Sequence, residues 1–428
     1  MMPLELDLES SPKSMSGYFT EYELIEHRSN NETITNSDII TIVIKNSSDY
    51  TNLAEAYLQV QFKVVKAADG SSYTQAERVS LANGIGCLFS RMTVRINGQV
   101  SEVVERGDLA QHMRGLVLYS QDYSQNASNA LWYKNTGNGT SVAATDNAGF
   151  DSRFARTGSD ANNDAVETTA FINLSELCGI ASVDKLLVNQ EISLEFTRSS
   201  ASEHIFNATA SPAKVALTRM SVWSPRIVLE PSADLVIKKS ISGGVSSPFM
   251  FHNWSSYVSP TLTGNQGTYR VISTSEEVDY VYVAVRNLPD ADQVIDANNN
   301  PQAYLNGWSS CEVSLNGRRY PLTRYSNLGN AQNRTGLPRS FNQLVKSAHD
   351  KVDYSNGCNL TFDEFSANQT LLAFDLTAKA FNWSKSNSTI EVHYDLEAGN
   401  GKQLVVCLVS KKQVMVNYQG GQAVVSQA

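Results

Sequence analysis

The chain has 428 residues, 41% of them hydrophobic and 18% charged, with a formal net charge of −9. That length exceeds one compact core and suits two domains of about 200 residues each, and the apolar share excludes global disorder. The acidic balance argues against a dedicated nucleic-acid binder, whose basic surface raises the net charge.

Residues 1–36 are polar and read as an N-terminal arm. The opening MMPLELDLESSPKSMSG is acidic where a secretion signal would be basic, and no apolar run reaches the roughly 18–20 residues that span a bilayer. Synthesis inside the cell, in a reducing compartment and without a secretion signal, is therefore expected. The five cysteines (Cys87, Cys178, Cys311, Cys358, Cys407) are scattered, without a CxxC, and read as buried small apolar residues. The twelve Asn-x-Ser/Thr sequons, such as those at Asn126 and Asn138, then reflect only an abundance of Asn, Ser and Thr.

Residues 38–45 (DIITIVIK) form a β-branched strand, and 56–65 (AYLQVQFKVV) alternate apolar and polar side chains as a half-buried strand does. From Met92 the alternation runs to Ile96, breaks at Asn97-Gly98 and resumes to Val104. Asn-Gly between alternating runs marks a hairpin, because both central residues of a type I′ turn need positive φ. Residues 108–119 (DLAQHMRGLVLY) place Leu109, Met113, Leu116 and Val117 on one helical face, with Asp108 as candidate N-cap. Residues 120–169, rich in Asn, Ser and Gly, read as a long surface loop stapled by its own aromatics at 131–134 (LWYK). Strands resume at 169–174, 191–197 and 214–229.

The second half repeats this order. Strands are expected at 235–242 and 269–287, and a second hairpin at 311–322 (CEVSLNGRRYPL) turns at Asn316-Gly317. A helix follows Pro338, with Phe341, Leu344 and Val345 on one face. Strands at 371–376, 389–396 and 403–416 close the set, and the two Asn-Gly turns lie 219 positions apart, about half the chain. Many short strands, with one short helix per half, point to antiparallel β domains rather than β/α units.

Catalytic and ligand motifs are sparse. Asp375 and Glu391 sit in expected strands and could serve as a carboxylate pair, though solvated strand faces and turn residues explain them better. The six histidines (His27, His112, His204, His252, His349, His393) show no HxH or HExxH spacing. There is no G-x-S-x-G elbow, and Gly84-Ile85-Gly86 lacks the third glycine of a phosphate cradle. The basic pairs Arg318-Arg319 and Lys411-Lys412 read as turn and edge-strand charges. No catalytic, metal or cofactor residue is assigned, and no enzyme activity is expected.

The stretch 79–104 with LFS at 88–90 and its Asn-Gly turn, LWYK at 131–134, LLVNQEISLEFTRS at 186–199 and the run 214–229 together resemble the major capsid proteins of the adenovirus, Polinton and virophage lineage. The resemblance covers about residues 38–230 and thins afterwards. It implies an all-β fold of two tandem eight-stranded antiparallel jelly rolls with short helices in the loops. The domains are then an arm (1–36), a first jelly roll (37–230), a second (231–416) and a C-terminal tail (417–428). It further implies a homotrimer that tiles an icosahedral shell in the virion, with penton and minor capsid proteins and an internal membrane as further partners. Sequence-specific nucleic-acid binding is not expected. A glycan- or receptor-binding β-sandwich protein (a spike or lectin, with 120–169 as its site) is the alternative, and a β-sandwich glycosidase the third reading.

Overall fold

The computed structural model describes residues 19–29, 34, 38–136, 147–207, 211–244, 246–274, 276–289, 302–329, 335–348, 358–377, 388–419 and 422–427. The first half opens with β1 (Phe19–Arg28), β2 (Ile39–Asn52), β3 (Tyr57–Lys66), β4 (Val79–Leu81), β5 (Phe89–Ile96) and β6 (Gln99–Glu105). Helices α1 (Gly107–Leu118), α2 (Gln121–Asn126) and α3 (Ala148–Thr157) follow. Next come β7 (Thr168–Asn173), α4 (Leu174–Leu177), β8 (Leu186–Arg198), α5 (Ala201–His204), β9 (Ile205–Asn207) and β10 (Ala213–Leu229). Helix α6 (Pro231–Ser242) leads into β11 (Ser246–Val258), β12 (Gln266–Thr274), β13 (Glu277–Asn287), β14 (Trp308–Leu315) and β15 (Arg318–Ser326). The chain ends with α7 (Leu337–Ala348), α8 (Phe362–Ala367), β16 (Leu372–Asp375), β17 (Ser388–Leu396), β18 (Lys402–Gln419) and β19 (Gln422–Gln427).

The two halves have the same topology. In the first, one layer runs β1-β10-β3-β7 and the other β2-β8-β5-β6, joined where Tyr50 meets Ile227 and where Ser29, just after β1, bridges Ile42. The second has β11-β18-β13-β16 and β12-β17-β14-β15. With the short β4–β9 pair and β19 set aside, each half in chain order is three strands, a hairpin, a helix and three more strands, all pairs antiparallel. Alternation drives this: on β3, Leu58, Val60 and Phe62 point inward and meet Ile192, Leu194 and Phe196 from β8 in one core. On β13 and β17, Val281, Val283, Ile390 and Val392 do the same in the other. The chain is a double jelly roll.

Five parts of the sequence reading change. Within the expected arm 1–36, Phe19–Arg28 is the strand β1, paired with β10 through nine residue pairs. Its side chains stay largely exposed, which is why composition hid it, yet β10 offers it a full backbone edge. This strand gives the half its eighth principal member. The expected strand at 235–242 is part of α6. Pro231 stands at its first turn, an Asp234–Lys238 ion pair (2.7 Å) braces one face, and Ala233, Ile237 and Ile241, four apart, pack on the first core.

The expected surface loop 120–169 instead supplies α2, α3 and deeply buried side chains: Trp132 enters the second core and Phe150 the first. Residues 137–146, including Asn138, lie outside the described residues. The expected tail 417–428 is mostly strand, because β18 runs to Gln419 and β19 folds back on it. Helix α1 is found where expected, but its N-cap is Arg106 in the left-handed region (φ 46°), with Asp108 in the first turn.

Candidate functional site

The two Asn-Gly turns lie at equivalent corners of the two halves. Asn97 and Gly98 have φ of 48° and 77°, Asn316 and Gly317 of 50° and 79°. Each Asn side chain also pins the turn to the next strand. The Asn97 amide oxygen accepts from Glu191 N (2.8 Å), and its amide donates to Gln190 Oε1 (2.7 Å) on β8. The Asn316 oxygen accepts from Thr389 N (2.8 Å), and its amide donates to Ser388 Oγ (3.2 Å) on β17. The two turns thus close the same corner, once in each half.

The two halves exchange core residues. From the first half, Leu109, Met113, Leu116 and Val117 of α1, with Trp132, belong to the second core; from the second, Phe249, Phe251, Val414, Val416 and Tyr418 complete the first. Helix α1 is thereby packed on β11, β18 and α7 as well as on its own β5. The close fit has a sequence cause: a Cβ at Gly115 would overlap the Trp132 indole, and one at Gly179 would overlap the His252 carbonyl across the junction.

A buried charge cluster locks this junction. Arg286 on β13 donates to both oxygens of Glu203 on α5 (2.7 and 3.0 Å). Arg106 donates to the same carboxylate (2.8 Å) and to Asp108 (2.9 and 3.0 Å). Two cations and two anions balance. Burial alone would push the Glu203 carboxyl up, but Arg286 and Arg106 outweigh it and hold its pKa down to about 2. Sequence reasoning missed the cluster because Glu203 and Arg286 lie 83 positions apart in different halves and neither belongs to a spaced motif.

Glu102 on β6 is a further buried carboxyl at the junction. Its two oxygens accept the consecutive N–H groups of Gly179 (2.9 Å) and Ile180 (2.8 Å). Burial pushes its pKa up to about 7, against the pull of those donors and of Lys412 and Arg114. The folded chain thus keeps a proton that the unfolded chain releases above the ordinary value of 4.5, so Glu102 makes stability fall as pH rises from 4.5 to about 7. Buried His112 and His204, held down to about 4 and 3, work in the opposite direction. They remain in Glu102→Gln and cancel in a difference. Urea unfolding of both proteins is expected to show the wild type losing stability relative to Glu102→Gln between pH 5 and pH 8. An unchanged difference would contradict the assignment.

The residues considered for catalysis are dispersed. Asp375 on β16 binds Thr377 N (2.8 Å), whereas Glu391 lies on β17, in the other layer. His393 contacts Thr268 and Ser314, His27 contacts Ser224, His252 contacts Asp279, and His349 lies outside the described residues. Gly84 (φ 78°) precedes a buried turn over Ile85–Leu88. Arg319 pairs with Glu312, Arg318 lies over Tyr320, Lys411 reaches Asp279 and Lys412 reaches Glu276. Four cysteines are buried and Cys358 is partly so. Among the described residues no group of three His, Cys, Asp or Glu could hold a metal, and no helix is long and apolar enough to cross a membrane. The surface instead presents scattered large apolar side chains: Tyr22 and Leu24 on β1, Leu235 and Val236 on α6, Met250 on β11 and Leu322 on β15.

No family model matches the sequence, and no curated protein does. The fold, however, recurs among solved structures. A chain in the structure of the Sputnik virophage matches with a TM-score of 0.66 at 11% identity, over 100% of this chain and 92% of that one. The mavirus major capsid protein matches with a TM-score of 0.52 at 12% identity, over 100% and 95%. The Faustovirus major capsid protein gives 0.51 at 11%, over 97% and 92%. Each match spans both halves from end to end, so what this chain shares with these proteins is the whole double jelly-roll architecture.

Proposed function

We propose that this chain is a major capsid protein that trimerises into a pseudo-hexameric block and tiles an icosahedral viral shell in the virion. The observation that carries the reading is the repeated topology: two eight-strand units of one design in a single chain. Three copies then present six similar wedges, and a threefold ring can occupy a sixfold lattice position. Interlocked cores suit that role, since a block pressed on all sides must not hinge between its halves. The double jelly-roll fold, shared over full length with two major capsid proteins, supports the same conclusion. The work is done by area buried between copies, so no reaction is assigned.

Light scattering on the purified chain is expected to give a mass three times the 46.9 kDa of one copy. A monomer at every concentration would overturn the trimer. Penton and minor capsid proteins and an internal membrane are the further partners of this reading, and residues 1–18, ahead of β1, are the segment assigned to meet them. Deleting 1–18 keeps β1 and is expected to leave trimers intact while shells fail to close. Full shells from that variant would remove the segment from this role.

A further inference from the structure

A recess of about 390 Å³ opens between the outer face of the β3–β7 pair and the segment of α2 and the turn after it. Its aromatic walls are held in place. The Tyr57 ring stacks on Trp223 (6.3 Å, 16°) and meets Phe171 edge-on (5.7 Å, 69°). Trp223 is fixed in turn by its indole N–H to Gln59 Oε1 (2.7 Å). On the facing wall, Tyr123 donates its hydroxyl to Glu176 Oε1 (2.5 Å), and Tyr119 donates to the other oxygen of the same carboxylate. Both rims carry exposed amides: Asn126 and Asn129 from the helical side, Asn173 from the end of β7.

We propose that this recess binds a neutral pyranose sugar. Rigid aromatic faces take the apolar C–H face of a sugar ring, and Asn amides, each with a donor and an acceptor, match neighbouring ring hydroxyls. Among the described residues no Lys or Arg lines the recess, and the one carboxylate there is already engaged by two tyrosines, so neither an anion nor a cation is favoured. The volume falls within the roughly 300–1,000 Å³ of small-molecule sites. The recess sits on the flank of the first jelly roll and does not depend on whether the chain builds a shell.

The test is saturation-transfer NMR on the purified oligomer with the methyl glycosides of glucose, galactose, mannose and N-acetylglucosamine. Transfer to the ring protons of at least one is expected, with at least a tenfold loss of affinity in Asn129→Ala and abolition in Tyr57→Ala. Asn129 is exposed, so its variant reads binding even if Tyr57→Ala folds poorly. No transfer to any of the four glycosides would overturn the proposal, as would transfer that survives unchanged in Asn129→Ala, which marks binding elsewhere. A light-scattering measurement on the same samples separates this result from failure of the trimer.

Discussion

Arg286→Ala is expected to lower the free energy of unfolding by about 3–5 kcal/mol, since it leaves two buried carboxylates, Glu203 and Asp108, to the single cation Arg106 beside an emptied cation site. The Arg286 side chain is 1% exposed and that of Glu203 11%, so water cannot take over the lost bonds. The double variant Arg286→Met with Glu203→Gln leaves no bare charge of that pair and is expected to recover much of the loss. Linkage gives a further signature. A carboxyl held at about 2 contributes stability that is full above its ordinary value of 4.5 and is lost as pH falls toward 2. Urea unfolding midpoints for wild type, single and double variants between pH 3 and pH 7 check both points. A single variant as stable as wild type would show that the cluster does not hold the junction.

Trp132→Ala is expected to cost a similar amount, about 3–5 kcal/mol, through the cavity left by a fully buried indole. Trp132 is 1% exposed, packs on the flat of Gly115 and meets the rings of His112 (5.6 Å) and Tyr119 (5.1 Å). It comes from a first-half segment yet fills the second core. Its loss should therefore loosen the contact between halves as well as destabilise either one. Hydrogen exchange is the suitable readout: protection is expected to fall in α1 and in β11, on opposite sides of the junction. Loss confined to α2 would show the indole to be a local staple only.

These two residues mark the limit of what the sequence made legible. Signals that act within about ten residues were readable. The Asn-Gly turns announce themselves because positive φ restricts the residue choice, and α1 because its apolar residues recur at helical spacing. Elements defined by a distant partner were not. Strand β1 has too little burial to alternate clearly and owes its existence to the free edge of β10. Helix α6 carries Val236, Ile237 and Ile241, which favour strands, but an apolar stripe at every fourth residue and Pro231 decide otherwise. The polar composition of 120–169 concealed Trp132 and Phe150 because their cores are built by other parts of the chain. For the same reason the Arg106–Glu203–Arg286 cluster left no trace in spacing, while the wider resemblance, resting on the order of many segments, pointed to the architecture that the structure has.

The most direct test of the central claim is electron microscopy of the concentrated chain. Blocks with a hexagonal outline and true threefold symmetry, packed edge to edge into sheets or closed shells, are the predicted result. Monodisperse particles without threefold symmetry that never form a lattice would contradict the capsid reading.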